Sequence, residues 1–94
     1  MKKIRNEETD ILFKAILSLS TIEECINFFD DLCTRKEIID MSQRLTVAKM
    51  LSDGEKYLEI SEKTGVSSAT ISRVGRCVAD EDSGYAKVLK KIGK

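Results

Sequence analysis

The chain has no histidine, no proline and no tryptophan among its 94 residues, and only three Phe and two Tyr. Without His the commonest general base is missing, and His-bearing zinc sites and Cys-His nucleophile pairs are excluded. The cysteines, Cys25, Cys33 and Cys77, are odd in number and form no C-x-x-C spacing. They fit reduced thiols packed in a core better than a disulfide scaffold. An excess of one charge is also lacking, since 16 Lys+Arg balance 16 Asp+Glu; the chain is neither a polybasic tail nor an acidic disordered segment. No catalytic group, metal site or cofactor is expected, because a small enzyme would need a convergent cluster that is not there. No stretch approaches the roughly 20 apolar residues of a bilayer span, and the basic start at Lys2, Lys3 and Arg5 has no signal-peptide run behind it. A soluble, cytoplasmic, single-domain protein covering residues 1–94, with no membrane contact, is expected.

What is there is helical period. Ile11, Leu12, Ala15, Ile16 and Leu19 recur at spacings of three and four, which predicts a first helix from about Glu7 to Leu19. Thr21 stands three residues before Glu24, a capping-box pattern that opens a second helix through Ile22, Cys25, Ile26, Phe28 and Phe29 to about Leu32. Thr34 and Glu37 repeat the device and open a third, longest helix that runs to a Gly54 stop. β-branched residues never alternate strictly with polar ones over a strand length, so the fold class read from the residues is all-α.

On a wheel at about 100° per residue, the third helix keeps Arg35, Ser42, Thr46 and Lys49 in one narrow polar sector and is apolar over most of the rest. It is expected to be buried on more than one side. A short chain has few surfaces to cover it, which points to a homodimer; the alternative is the central helix of a monomeric bundle. Arg44 falls in the apolar arc near Ala48 and Leu51, where a guanidinium needs an anion. Either Asp40 one turn earlier supplies it, or a ligand carboxylate or phosphate does.

Residues 57–76, YLEISEKTGVSSATISRVGR, read as a helix-turn-helix. Leu58 and Ile60 open a short helix ending at Lys63 and Thr64, Gly65 supplies a residue able to take positive φ, Val66 plugs the turn, and Ser67 or Ser68 caps a second helix. Ile60, Val66, Ile71 and Val74 lock the pair, and small Ser61 and Ala69 allow close approach. Ser67, Ser68, Thr70, Ser72, Arg73 and Arg76 are left facing outward. Hydroxyls and arginines there suit a phosphate-lined major groove, and Ala69 can touch a thymine methyl. The alternative is a plain helical hairpin with a solvated face, serving as a protein-interaction module.

Charge follows the same division. Residues 1–40 carry a net of −3 and residues 41–94 a net of +3, the latter including Lys87, Lys90, Lys91 and Lys94. The acidic Asp80, Glu81 and Asp82 precede Ser83 and Gly84 as a loop leading into a sixth helix from Tyr85 to Ile92.

The segment TRKEIIDMSQRLTVAKMLSDGEKYLEISEKTGVSSATISR, residues 34–73, resembles the Trp repressor family, in particular its small TrpR-like YerC/YecD branch. The resemblance implies a six-helix, intertwined homodimer that binds a double-stranded DNA operator and acts as a transcriptional repressor. It further implies a small-molecule corepressor held by a threonine and two arginines, at positions matched here by Thr34, Arg44 and Arg73. Two departures bear on that ligand. Val74 stands where the parent has a glycine that makes room for a flat indole, and Asp31 and Cys33 replace apolar residues on the other side of the pocket. A ligand slimmer than tryptophan, or none, is therefore expected, with Asp31 or Asp40 as the counter-charge in the latter case. Ser68 replaces an apolar base contact, so the parent operator does not carry over.

Overall fold

Each helix of this chain is opened or closed by a local device. In the computed structural model, which describes residues 3–93, the elements are α1 (Glu7–Leu17), α2 (Ile22–Leu32), α3 (Arg35–Ser52), α4 (Tyr57–Thr64), α5 (Ser68–Val78) and α6 (Gly84–Ile92). No strand occurs among the described residues. Lys94, counted above with the basic tail, lies outside them.

Asn6 opens α1 by a capping box: its Oδ1 accepts from the Thr9 N–H at 2.9 Å, and Thr9 Oγ1 accepts from the Asn6 N–H at 2.9 Å. The helix stops two residues short of the expected Leu19, where the Ser18 hydroxyl donates to the Ala15 carbonyl at 2.6 Å, a local bond that competes with continuing the ladder. Thr21 caps α2 by accepting from the Glu24 N–H at 3.1 Å, but the Glu24 carboxylate returns to the N–H of Ser20, at 2.7 Å, rather than to that of Thr21. At the end of α3, Gly54 takes φ +87°, and the N–H groups of Gly54 and Glu55 close on the carbonyls of Leu51 and Met50. That double closure is the Schellman stop, for which a residue without Cβ is favoured. Ser83 caps α6, accepting from the Ala86 N–H at 3.1 Å.

The chain divides into two compact units, residues 1–35 and 36–94. The first holds α1 and α2. None of its helical residues is buried; Leu12, Ala15, Ile16, Phe28 and Phe29 are half-buried, with the two phenyl rings edge to face at 5.8 Å. Large apolar side chains stay in water: Leu17 is 82% exposed and Ile22 79%.

The second unit carries the core. Val47 and Ala48 of α3, Ile60 of α4, Ile71 and Val74 of α5 and Leu89 of α6 are buried, with Met50, Leu51, Val66, Val78 and Tyr85 packed against them. Each fully buried aliphatic side chain contributes about 1.5–3 kcal/mol relative to exposure. Only the last turns of α3, from Val47 on, join this core; Ile39, Met41 and Leu45 remain exposed. The expectation of a helix covered on several sides is thus not met within one chain. The cysteine expectation is corrected as well, since Cys25 and Cys77 are exposed and Cys33 is half-buried: each falls outside the buried core of the second unit.

Candidate nucleic-acid interface

The head is α4, a three-residue turn and α5. Gly65 takes φ +71°, and its N–H closes α4 on the Ser61 carbonyl at 2.9 Å. Thr64 Oγ1 donates to the Ile60 carbonyl at 2.7 Å and accepts from the Val66 N–H at 3.2 Å, while the Ser61 hydroxyl donates to the Val66 carbonyl at 3.4 Å. These bonds fix the turn so that Val66 points into the core and α5 leaves at a set angle. Ser67 is the cap. Its Oγ accepts from the Thr70 N–H at 3.3 Å and donates to Thr70 Oγ1 at 3.0 Å.

With Ile71 and Val74 turned inward, α5 presents Ser68, Ala69, Arg73 and Arg76 to solvent, and Ser67 is exposed at the turn. Thr70 and Ser72 are half-buried, so of the expected outward set these two stand at the edge of the face. Thr70 is also engaged with the cap. Arg73 and Arg76 have no ion-pair or hydrogen-bond partner among the described residues, which leaves both guanidiniums free to meet an external anion. Lys56 precedes α4 with no side-chain oxygen on the first N–H groups of that helix, so those donors face solvent beside a cation. Lys63 is held differently. Its Nζ lies 2.8 Å from Glu55 Oε1, and that hydrogen bond, then the charge of Glu55, keeps the ammonium above its ordinary value.

Arg44 is exposed and does not lie in an apolar environment. The wheel had placed it in an arc that this chain does not cover. Asp40 is not its partner either, since Lys36 Nζ takes that carboxylate at 2.9 Å. Arg44 instead borders a cleft of about 360 Å³ between α3 and the turn, lined by Asp40, Gln43, Arg44, Gly65, Val66, Ser67 and Thr70. Arg73 is not on this lining, and Val74, 3% exposed, turns into the core of the head. Thr34 is exposed in the first unit. A second, mostly apolar groove of about 460 Å³ runs over Leu45, Cys77, Ser83, Gly84, Tyr85 and Val88. Among the described residues no group of three or more acidic or Cys side chains could hold a metal ion, and no helix is long and apolar enough to cross a membrane.

The family model of the Trp repressor protein matches residues 7–92, which takes in all six helices. The chain belongs to the Trp repressor family. It is 50% identical over 90 residues to the uncharacterized protein YerC of Bacillus subtilis (strain 168), covering 96% of this chain and 86% of that one. A TrpR-like protein from Eubacterium eligens superposes with TM-score 0.87 at 47% identity, covering 95% of this chain and 92% of its own. A Staphylococcus aureus structure, a provisional Trp repressor, gives TM-score 0.87 and 47% identity, covering 95% and 89%. Membership of the Trp repressor family points to a DNA-binding regulator. Two features of this head were not read from the sequence. Gln43 at the cleft carried no pattern of its own, and Tyr57 and Gly75, which meet across α4 and α5, sit eighteen residues apart, beyond any helical period.

Proposed function

We propose that the protein is a sequence-specific, double-stranded DNA-binding transcriptional regulator, a repressor, that acts as a cytoplasmic homodimer. The observation that carries this is the head itself: Ile60, Ile71 and Val74 are buried while Ser68, Ala69, Arg73 and Arg76 form the exposed face of α5. A helix with free arginines and small hydroxyls enters a major groove, with arginines on phosphates or guanine edges and Ser68, Ala69 and Ser72 reading bases. The dimer is supported by the exposed Ile11, Leu17, Ile22, Ile26, Ile39 and Leu45 and by the apolar groove, because monomers seldom leave so much aliphatic surface in water. A two-fold dimer then reads half-sites one DNA turn apart, about 34 Å; that spacing is general to the motif, of which the Trp repressor is a standard instance.

Regulation by a small anion is the second part of the proposal. The free Arg44 guanidinium at the α3 cleft supports it; Thr34 and Arg73 are named as effector contacts by family resemblance alone, and neither lines that cleft. An effector there changes DNA affinity only by its preference for one tilt of the head.

The test is selection of bound duplexes from random DNA, followed by affinity measurement across salt concentrations, with and without a metabolite panel that includes tryptophan. A DNA reader loses affinity linearly in log-log form as salt rises. Absent or salt-insensitive binding refutes it and favours a helical protein-interaction module.

A further inference from the structure

Gly75 lies inside α5, and its backbone is ordinary right-handed helix, since among the described residues positive φ is confined to Gly54 and Gly65. A glycine in a helix interior costs about 1 kcal/mol relative to alanine, and here that cost brings no conformational freedom. The reason lies in packing. The phenol end of Tyr57, the first residue of α4, occupies the space a Cβ at position 75 would take: Oη is nearest, Cζ is 3.2 Å from that point, and Leu51 Cδ1 is 3.7 Å from it. The ring tip lies against α5 at Gly75 while Tyr57 as a whole stays 48% exposed. No hydrogen bond among the described residues holds the hydroxyl, so the seat on Gly75 is what places it.

Around α5, Gly75 falls between the inward residues Ile71, Val74 and Val78 and the flank formed by Ser68 and Ser72, at about 100° per residue. The helix meets its neighbours through the core, where Ile71, Val74 and Val78 pack with Ile60 and Leu89, and on its flank through the Tyr57 ring on Gly75. The core contacts lie along one side of the rod, so the flank contact is the one that resists a roll of α5 about its own axis. We propose that Tyr57 is a positioning residue for DNA reading: seated on Gly75, it sets the angle at which α5 offers Ser68, Ser72, Arg73 and Arg76 to the groove. The proposal rests on the DNA-binding function above.

The experiment compares the full chain with Gly75→Ala, Tyr57→Phe and the double variant, measuring affinity for a selected duplex, sequence preference and thermal midpoint. In Gly75→Ala the added methyl collides with the phenol oxygen, and the half-exposed Tyr57 ring swings off its seat, which removes the flank contact that sets the angle of α5. Duplex affinity is expected to fall about tenfold, the equivalent of about 1.4 kcal/mol. Tyr57→Phe keeps the ring and removes the colliding atom, so alone it binds within about twofold of the parent, and in the double variant it restores most of the lost affinity. Improved helix propensity from alanine, by contrast, leaves binding unchanged and raises the thermal midpoint. Undiminished binding by Gly75→Ala, or a loss that Tyr57→Phe does not rescue, overturns the proposal. Should Gly75→Ala fold poorly, Tyr57→Ala empties the seat without adding an atom. It is expected to weaken binding about tenfold and broaden sequence preference, and unchanged binding overturns the proposal equally. A parent protein that binds no duplex defeats the DNA reading itself, a result distinct from either of these.

Discussion

Gly65→Ala isolates the cost of one backbone angle. Gly65 sits at φ +71°, and a Cβ built there meets nothing within 4 Å, so no collision contributes. What remains is the left-handed conformation, which costs a non-glycine L-residue about 1–2 kcal/mol. The stiffer unfolded chain of the variant offsets part of this without cancelling it. A net loss of about 1 kcal/mol in a domain of this size lowers the thermal midpoint by roughly 4–8 °C. Gly65→Asn, whose side chain tolerates the same region, is expected to lose less than half of that. The assay is thermal unfolding followed by circular dichroism at one fixed protein concentration, because assembly alters the midpoint by mass action. Gly54→Ala is the internal twin, with φ +87° and equally open space. Two refuting results are clear. A loss above about 4 kcal/mol, twice the upper end of the conformational cost, would mean hidden steric contact at the turn, and no loss with Ala and Asn indistinguishable would mean that the turn re-forms at negative φ.

Ser67→Ala removes the cap of α5 and is expected to lower stability by about 1 kcal/mol in the same melts, while site selection returns the parent DNA motif. Replacing Ile22 and Ile26 by Glu is expected to turn a dimer into a monomer by light scattering at micromolar concentration, because both side chains are exposed in one chain and need a cover. Arg76→Ala is expected to weaken all duplexes alike, whereas changes at Ser68, Ala69 or Ser72 alter the selected motif; the same motif from all three would refute the assignment of reading residues. Glu55→Gln is expected to lower stability at neutral pH and to make no difference in strong alkali. The raised Lys63 value means that this contribution is whole below the ordinary lysine range and lost as pH climbs through the raised one.

Local chemistry made most of the fold legible. Thr21, Gly54, Gly65, Ser67 and Ser83 act within three to five residues of themselves, so a linear chain displays their partners. The buried Ile60, Ile71 and Val74 were legible for a similar reason, since two short helical periods joined by one glycine admit few ways to meet. Arg44 was misread because a wheel assigns an inner face only where something covers it, and in one chain α3 has no buried side chain before Val47. Asp40 faces two basic neighbours at equal spacing, Lys36 and Arg44, and pairs with Lys36; spacing alone does not choose between them. The Tyr57 seat depends on an inter-helix angle and leaves no periodic trace.

The bare state of α1 and α2 has a consequence for how much of this protein a cell must make. Helices of eleven residues are marginal alone in water, and these bury no side chain fully within one protomer. If a second copy covers them, their order is bought by assembly, and the occupied fraction of folded N-terminal segments rises with total protein rather than holding constant. A newly made protomer below that threshold carries frayed, aliphatic helices, the substrate that proteases clear first. The regulator would then set its own lower limit of abundance, responding as the square of synthesis rate near the threshold, with no effector needed to sharpen the response.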